Sequence, residues 1–388
     1  MKSPDPLLDD LDRALAESGP SAVLDRLVAA MEARDDPRGL LDALLLQARH
    51  DLGLPAVLAG SLADLAEPAR SKYEERYVEA IRRVGSRMLA KGDIVGAWPY
   101  FRAIGEKEAV AAALETFSPG EGDSSVGHVV EVAFTQGVHP RRGFELILEH
   151  FGICSAITSF ESLPPDEAIR IACAQKLTER LHEHLVLSLR DEIERRGQPM
   201  PPQGASIPEL IAGRDWLFFD DAYHLDVSHL AAVVRVAPIL EDRGALAKAV
   251  ELTDYGAKLS DRHKYAGDPP FERVYEDHGL YLRALLGLGE EEAIGHLRAS
   301  IPPVDPAGDG DTSAAQILVR LLVRLNRLDQ AIDVSAEHLA GVPEGMLMVP
   351  GLSQLCERAG RLDRLAEVAR AQADPVRYAS AILPREHG

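Results

Sequence analysis

The chain of 388 residues is 46% hydrophobic, 27% charged and only 5% aromatic, an ordinary globular composition that excludes wholesale disorder and is too long for one small core. A formal charge of −20, from 42 Lys plus Arg against 62 Asp plus Glu, argues against binding duplex nucleic acid through the general field of the protein. Three cysteines without repeated spacing exclude a disulfide framework and a zinc finger, and neither an apolar leader nor a run of about 18 apolar residues points to export or a membrane span. The expectation is a soluble, cytoplasmic protein.

The first hundred residues read as short amphipathic helices. Leu7, Leu8, Leu11 and Leu15 share one stripe, then Val23, Leu24, Leu27, Val28 and Met31, then Leu40, Leu41, Leu44 and Leu45, all at helical spacing. Ser18-Gly-Pro-Ser, Asp35-Asp-Pro-Arg-Gly and Gly53-Leu-Pro separate them with turn chemistry and helix starts. Connections this short predict antiparallel helix hairpins. Arginine pairs such as Arg82-Arg83, Arg141-Arg142 and Arg195-Arg196 are too short for a basic tract and read as solvated helix faces.

From Ser71 to Glu106 the text becomes more specific. A helix carrying Tyr73, Tyr77, Ile81 and Val84 is followed by Leu89-Ala-Lys-Gly-Asp-Ile-Val-Gly-Ala-Trp-Pro-Tyr-Phe. This resembles a tetratricopeptide unit, with Gly92 in the turn, Ala97 at the small packing position and Phe101 at the aromatic position. Pro99 is expected near the start of the second helix, since only a first turn tolerates it well.

Between Phe117 and Gln203 that grammar lapses. Ser118-Pro-Gly-Glu-Gly-Asp-Ser-Ser reads as a loop, helices follow near 126–136 and 142–151, a turn spans 160–165, and a long helix runs over 166–196. Gly197-Gln-Pro-Met-Pro-Pro-Gln-Gly is the best linker in the chain. Three segments follow: N-terminal hairpins over 1–117, a non-repeat helical segment over 118–204, and C-terminal repeats over 205–388.

Within the middle segment, Glu145, Glu149 and His150 precede the small residues Gly152, Cys154, Ser155 and Ala156. A Cys154 thiolate activated by His150 is a conceivable nucleophile; the plainer reading is that Cys154 is a small core residue.

Arg214 to Pro238 is the least generic stretch, setting Trp216, Phe218, Phe219 and Tyr223 beside His224, Asp226 and His229. The aromatics suggest a buried platform running into a helix. Glu179/His182, Asp221/His224 and Asp226/His229 share a three-residue step that places both members on one helix face, as in the Glu-x-x-His motifs of helix-bundle metal sites. His224-x-Asp226 also matches the start of a facial triad for non-haem iron, normally carried by a β-barrel that this chain lacks. About two such acid-His pairs arise by chance in a chain this acidic, so spacing alone does not decide. The alternative is that Asp226 caps a helix and pairs with His229.

Downstream, Gly244, Gly289, Asn326 and Gly360 each divide two amphipathic helices, with Ala249, Ala293, Ala331 and Leu365 as close-packing positions. The step from Asn326 to Gly360 is the tetratricopeptide period of about 34 residues, and the longer step from Gly244 accommodates an inserted loop at Asp261-Arg-His-Lys-Tyr-Ala-Gly-Asp-Pro-Pro. The resemblance therefore extends over roughly 226–380, although the usual Trp and Tyr of the first helix are largely missing. Asp305-Pro-Ala-Gly-Asp-Gly-Asp-Thr-Ser is calcium-like but has Gln316 where the terminal acid of an EF-hand stands, and reads as a loop ending in a cap.

The fold expected is all-α, a superhelical array of antiparallel, tetratricopeptide-like hairpins with a non-repeat helical middle. The resemblance implies a scaffold that binds a protein or peptide in a concave groove, with contacts from the first helix of each pair and neither duplex nucleic acid nor membrane as partner. The alternative is a metal-dependent enzyme or metal-binding protein holding zinc or iron on His150, His224, Asp226 and His229, completed by Cys154 or by Glu145 and Glu149.

Overall fold

The computed structural model describes residues 5–57, 65–120, 122–303 and 311–383. Among these all the regular structure is helical, with 20 α-helices that pack mainly on their sequence neighbours; the one β-type contact is an isolated bridge between Ala266 and Arg273. No described helix is long and apolar enough to cross a membrane. The chain divides into two compact units, Met1–His150 and Phe151–Gly388.

The first unit opens with α1 (Pro6–Ser18), α2 (Pro20–Ala33) and α3 (Pro37–Asp51), each with proline in its first turn, where the missing N–H has no partner to lose. Asp5 and Asp36 cap α1 and α3 through their carboxylates. Then α4 (Ala69–Leu89) and α5 (Ile94–Ala103) form the expected hairpin, with Gly92 in left-handed backbone at the turn and Ala97 and Phe101 buried. Pro99 lies deeper than expected, in the second turn of α5, where its ring leaves the Val95 carbonyl without the usual helical donor. The unit ends with α6 (Glu108–Thr116), α7 (Val126–Val130), which runs on as a π-helical turn over Glu131–Thr135, and α8 (Pro140–His150). Its cores join Leu40, Ala43 and Leu44 to Ala80 and Val84, and Phe101, Leu114 and Val132 to Leu146.

The second unit begins with α9 (Gly152–Phe160) and is built around α10 (Glu167–Arg195), which packs on α9, on α11 (Ile207–Ile211), on α12 (Val227–Val236) and on α13 (Arg243–Lys258). Asp166 caps α10, and Cys173, Leu177, Leu181, Leu185, Leu189 and Ile193 bury one four-residue stripe of it. The proline-rich 197–204 stretch is tied down: Arg190 donates to the carbonyls of Pro201 and Pro202 at 3.0 Å, and Arg214 to that of Pro199 at 3.1 Å.

Helix pairs follow: α12 with α13, α14 (Val274–Leu285) with α15 (Glu290–Ala299), α16 (Ser313–Arg324) with α17 (Leu328–His338), and α18 (Leu352–Ala359) with α19 (Leu362–Ala371), closed by α20 (Pro375–Ile382). Gly289, Asn326 and Gly360 take left-handed backbone at the turns, and Ala249, Ala293, Ala331 and Leu365 are buried. Gly244 differs from expectation. It lies inside the first turn of α13, because Asp242 supplies the cap, accepting from the Ala245 N–H at 2.8 Å. The Asp305 stretch lies mostly outside the described residues; at its end the Asp311 carboxylate accepts from the Ser313 N–H at 2.9 Å.

Candidate functional site

The residues singled out in the sequence are engaged in local hydrogen bonds and ion pairs. Asp226 caps α12: its Oδ1 accepts from the Ser228 N–H at 2.8 Å, the Ser228 hydroxyl at 2.6 Å and the His229 N–H at 3.4 Å. The Ser228 hydroxyl, helped by these amides and by His229 and opposed by burial, holds the Asp226 carboxyl below its ordinary pKa. His229 thus meets Asp226 through its backbone.

His224 is fixed by Tyr255 of α13. The Tyr255 oxygen accepts from the His224 backbone N–H at 2.8 Å and lies 3.1 Å from Nδ1 of the ring. In the other two acid-His steps the partners diverge. His182 turns to Glu251 on α13 at 2.9 Å while Glu179 accepts from Gln175, and Asp221 turns to Arg262 at 2.9 Å. Glu179 and His182 do share a face of α10 yet take different partners, and Asp221 and His224 lie outside any common helix, since the backbone from Ala222 to Asp226 is not helical, so their three-residue step does not set them on one face.

Glu145, Glu149 and His150 lie in the first unit. Arg142 serves both acids, at 3.3 Å from Glu145 and 3.6 Å from Glu149, and His150 stands 4.0 Å from Glu149. Cys154 is exposed on α9, contrary to the core reading of that residue. The aromatic platform also departs from expectation: Leu217 is buried, but Phe219 is 63% and Tyr223 53% exposed. The cause is backbone. Asp220 and Asp221 both adopt left-handed φ, 56° and 59°, which turns the chain outward between them. Among the described residues no group of three or more His, Cys, Asp or Glu side chains is arranged to hold a metal ion.

A cleft of about 640 Å³ lies instead along the first helices of successive pairs. Arg235 reaches it from α12, His278 and Tyr281 from α14, and Gln316, Ile317 and Arg320 from α16, with Pro238, Ile239, Phe271, Met348 and Val349 supplying apolar wall. The groove is organised by carbonyls. Arg235 donates to the Ala266 carbonyl at 3.2 Å, Arg320 to that of Met348 at 2.9 Å, and Gln316 accepts from the Met348 N–H at 2.7 Å. Neither Arg235 nor Arg320 forms an ion pair among the described residues, although Asp268 and Asp311 stand on the lining.

His278 is buried, stacked on Phe271 with centroids 4.0 Å apart, and lies 2.7 Å from the Val274 carbonyl through Nδ1. A carbonyl only accepts, so Nδ1 carries the proton and Nε2 is the acceptor of the neutral ring. Burial pushes its pKa down to about 4, helped by the Arg235 charge and opposed by the Val274 bond. Burial also raises the Tyr281 pKa, with the Arg324 and Arg320 guanidiniums opposing it. None of Arg235, His278 or Arg320 carries a sequence signal: each sits on a different helix, in no spacing pattern.

Comparison with protein-family profiles, curated proteins and solved structures returned no match for the chain.

Proposed function

We propose that the chain is a soluble, cytoplasmic helical-repeat scaffold of tetratricopeptide-like hairpins, which binds an extended segment of a partner protein in the groove of α12, α14 and α16. The observation that carries this reading is the pair of guanidiniums, Arg235 and Arg320, held by carbonyls rather than carboxylates in a chain of formal charge −20. A carbonyl orients an arginine without neutralising it. The charge is left for an incoming acidic side chain or carboxylate. Ile317, Phe271, Val349 and Met348 offer apolar contact beside them, and the volume falls in the usual range of about 300–1,000 Å³ for ligand sites. First helices supply most of the polar lining, the arrangement the tetratricopeptide resemblance implies.

The test is selection of a random peptide library on the full chain, with the Arg235→Glu/Arg320→Glu variant as counter-target. The expected result is enrichment of peptides with an acidic residue beside apolar ones, retained by the wild type and released by the variant. No enrichment, or peptides held equally by both proteins, would sink the proposal.

A further inference from the structure

We infer that a second cleft, between the C-terminal end of α10 and the segment Trp216–Leu225, is a separate site for a flat, uncharged heteroaromatic ligand of nucleoside size whose hydrogen-bond acceptor meets Nε2–H of His224. The cleft encloses about 440 Å³ and shares no residue with the groove of the first helices.

The proton on His224 follows from counting. Tyr255 has one hydroxyl proton and is buried; its oxygen already accepts from the His224 backbone N–H, and the other partner within reach is Nδ1 at 3.1 Å. An amide N–H can only donate, so the hydroxyl proton goes to Nδ1, since any other arrangement leaves a buried O–H without an acceptor. Nδ1 is therefore the acceptor and the neutral ring carries its proton on Nε2. Burial, the largest influence on His224, disfavours the charged ring. Nε2 has no protein partner among the described residues, and His224 lines the cleft. The same tautomer removes the lone pair that a metal would need at Nε2.

The walls define the rest of the ligand. Trp216 and Tyr223 both line the cleft, and aromatic rings in a lining favour a flat aromatic partner. Arg196 stacks on Trp216 with its guanidinium carbon 5.2 Å from the ring centroid, and is held there by Glu192 at 3.0 Å; Glu192 also takes Arg195 at 2.5 Å. Unlike Arg235 and Arg320, both guanidiniums here are already paired with a carboxylate, and with Asp191 the lining carries no net charge, so no free cation is left to select an anion and an uncharged ligand is favoured. The lip is held in an unusual backbone. Asp220 and Asp221 are consecutive non-glycine residues in the left-handed region, and Asp221 is clamped by Arg262 at 2.9 Å and by His263 Nε2–H donating to its carbonyl at 3.0 Å. Such backbone persists where surrounding contacts impose it, and it recurs at ligand sites. Here it presents Tyr223, edge-on to His263 at 4.9 Å, at the mouth.

Saturation-transfer NMR of the full chain with adenosine, guanosine, cytidine and uridine, singly and beside their 5′-monophosphates, tests the site. At least one nucleoside is expected to give saturable transfer that weakens about tenfold in His224→Phe, the loss of one neutral hydrogen bond with its acceptor left unpaired, and that Trp216→Leu abolishes. Absence of transfer from all four nucleosides, transfer from the monophosphates alone, or unchanged affinity in His224→Phe overturns the assignment. Long-range 1H–15N spectra at pH 7 give an independent reading that needs no variant to fold: a protonated Nε2 and bare Nδ1 on His224 support the site, and a protonated Nδ1 overturns it.

Discussion

The ring of Phe101 on α5 lies against Gly85 on α4 so closely that a Cβ built on Gly85 would stand 2.6 Å from its Cε2 atom. Both residues are buried, so the hairpin closes through a missing side chain. Gly85→Ala gains about 1 kcal/mol of helix propensity but forces overpacking that costs about 1–3 kcal/mol. We expect a lowered urea midpoint, partly recovered when Phe101→Leu is added. An unchanged or raised midpoint for the single variant would show that the ring yields freely.

Asp226→Ala removes the acceptor of the Ser228 and His229 amides, and loss of such a cap costs about 1 kcal/mol. Asp226→Asn retains most of it. Equal stability of all three proteins in thermal denaturation would contradict the capping role.

Glu251 is half-buried and accepts from both His182 and the Ile207 N–H at 2.9 Å. Burial is the largest influence and raises its pKa, but His182, the Ile207 amide and Lys248 together outweigh it, and the net folded pKa lies below the ordinary 4.5. A depressed carboxylate stabilises the fold above its unfolded pKa, and that contribution disappears as pH falls through the folded pKa. Stability of the wild type should therefore fall below pH 4.5, with part of this fall absent in Glu251→Gln. Glu251→Ala, which also strands the Ile207 amide, should lose about 1–3 kcal/mol at pH 7. Identical pH profiles for wild type and Glu251→Gln would refute the linkage.

Asp226 is committed to its cap, His224 to Tyr255, and Glu145 and Glu149 to Arg142. Dialysis of the untagged protein against a chelator is accordingly expected to leave its thermal transition in place. A clear drop in the transition, restored by zinc or iron, would show a metal bound through these side chains.

Local chemistry was the legible part of this chain. Asp166 and Asp226 announce their helices because a carboxylate before an apolar stripe satisfies free amides, and Gly92, Gly289, Asn326 and Gly360 mark turns because few other residues accept left-handed backbone. Gly244 misled because Asp242, two residues earlier, already began the helix. Phe219 and Tyr223 read as core because aromatics usually are; two consecutive left-handed aspartates turned them outward, which no periodicity encodes. The groove was illegible for a different reason. Arg235, His278 and Arg320 converge only through the stacking of three helices, and a lone cation on an amphipathic helix is indistinguishable from a solvated face.

A double-mutant cycle tests the groove most directly. A peptide enriched by selection is titrated calorimetrically into wild type and Arg320→Gln, with its acidic residue intact or replaced by the amide. A coupling of about 1.5 kcal/mol or more is expected between Arg320 and that residue, as for close charge pairs across an interface. Effects that add to within about 0.5 kcal/mol, the behaviour of sites that do not touch, would place the peptide elsewhere and rule out the groove as its site.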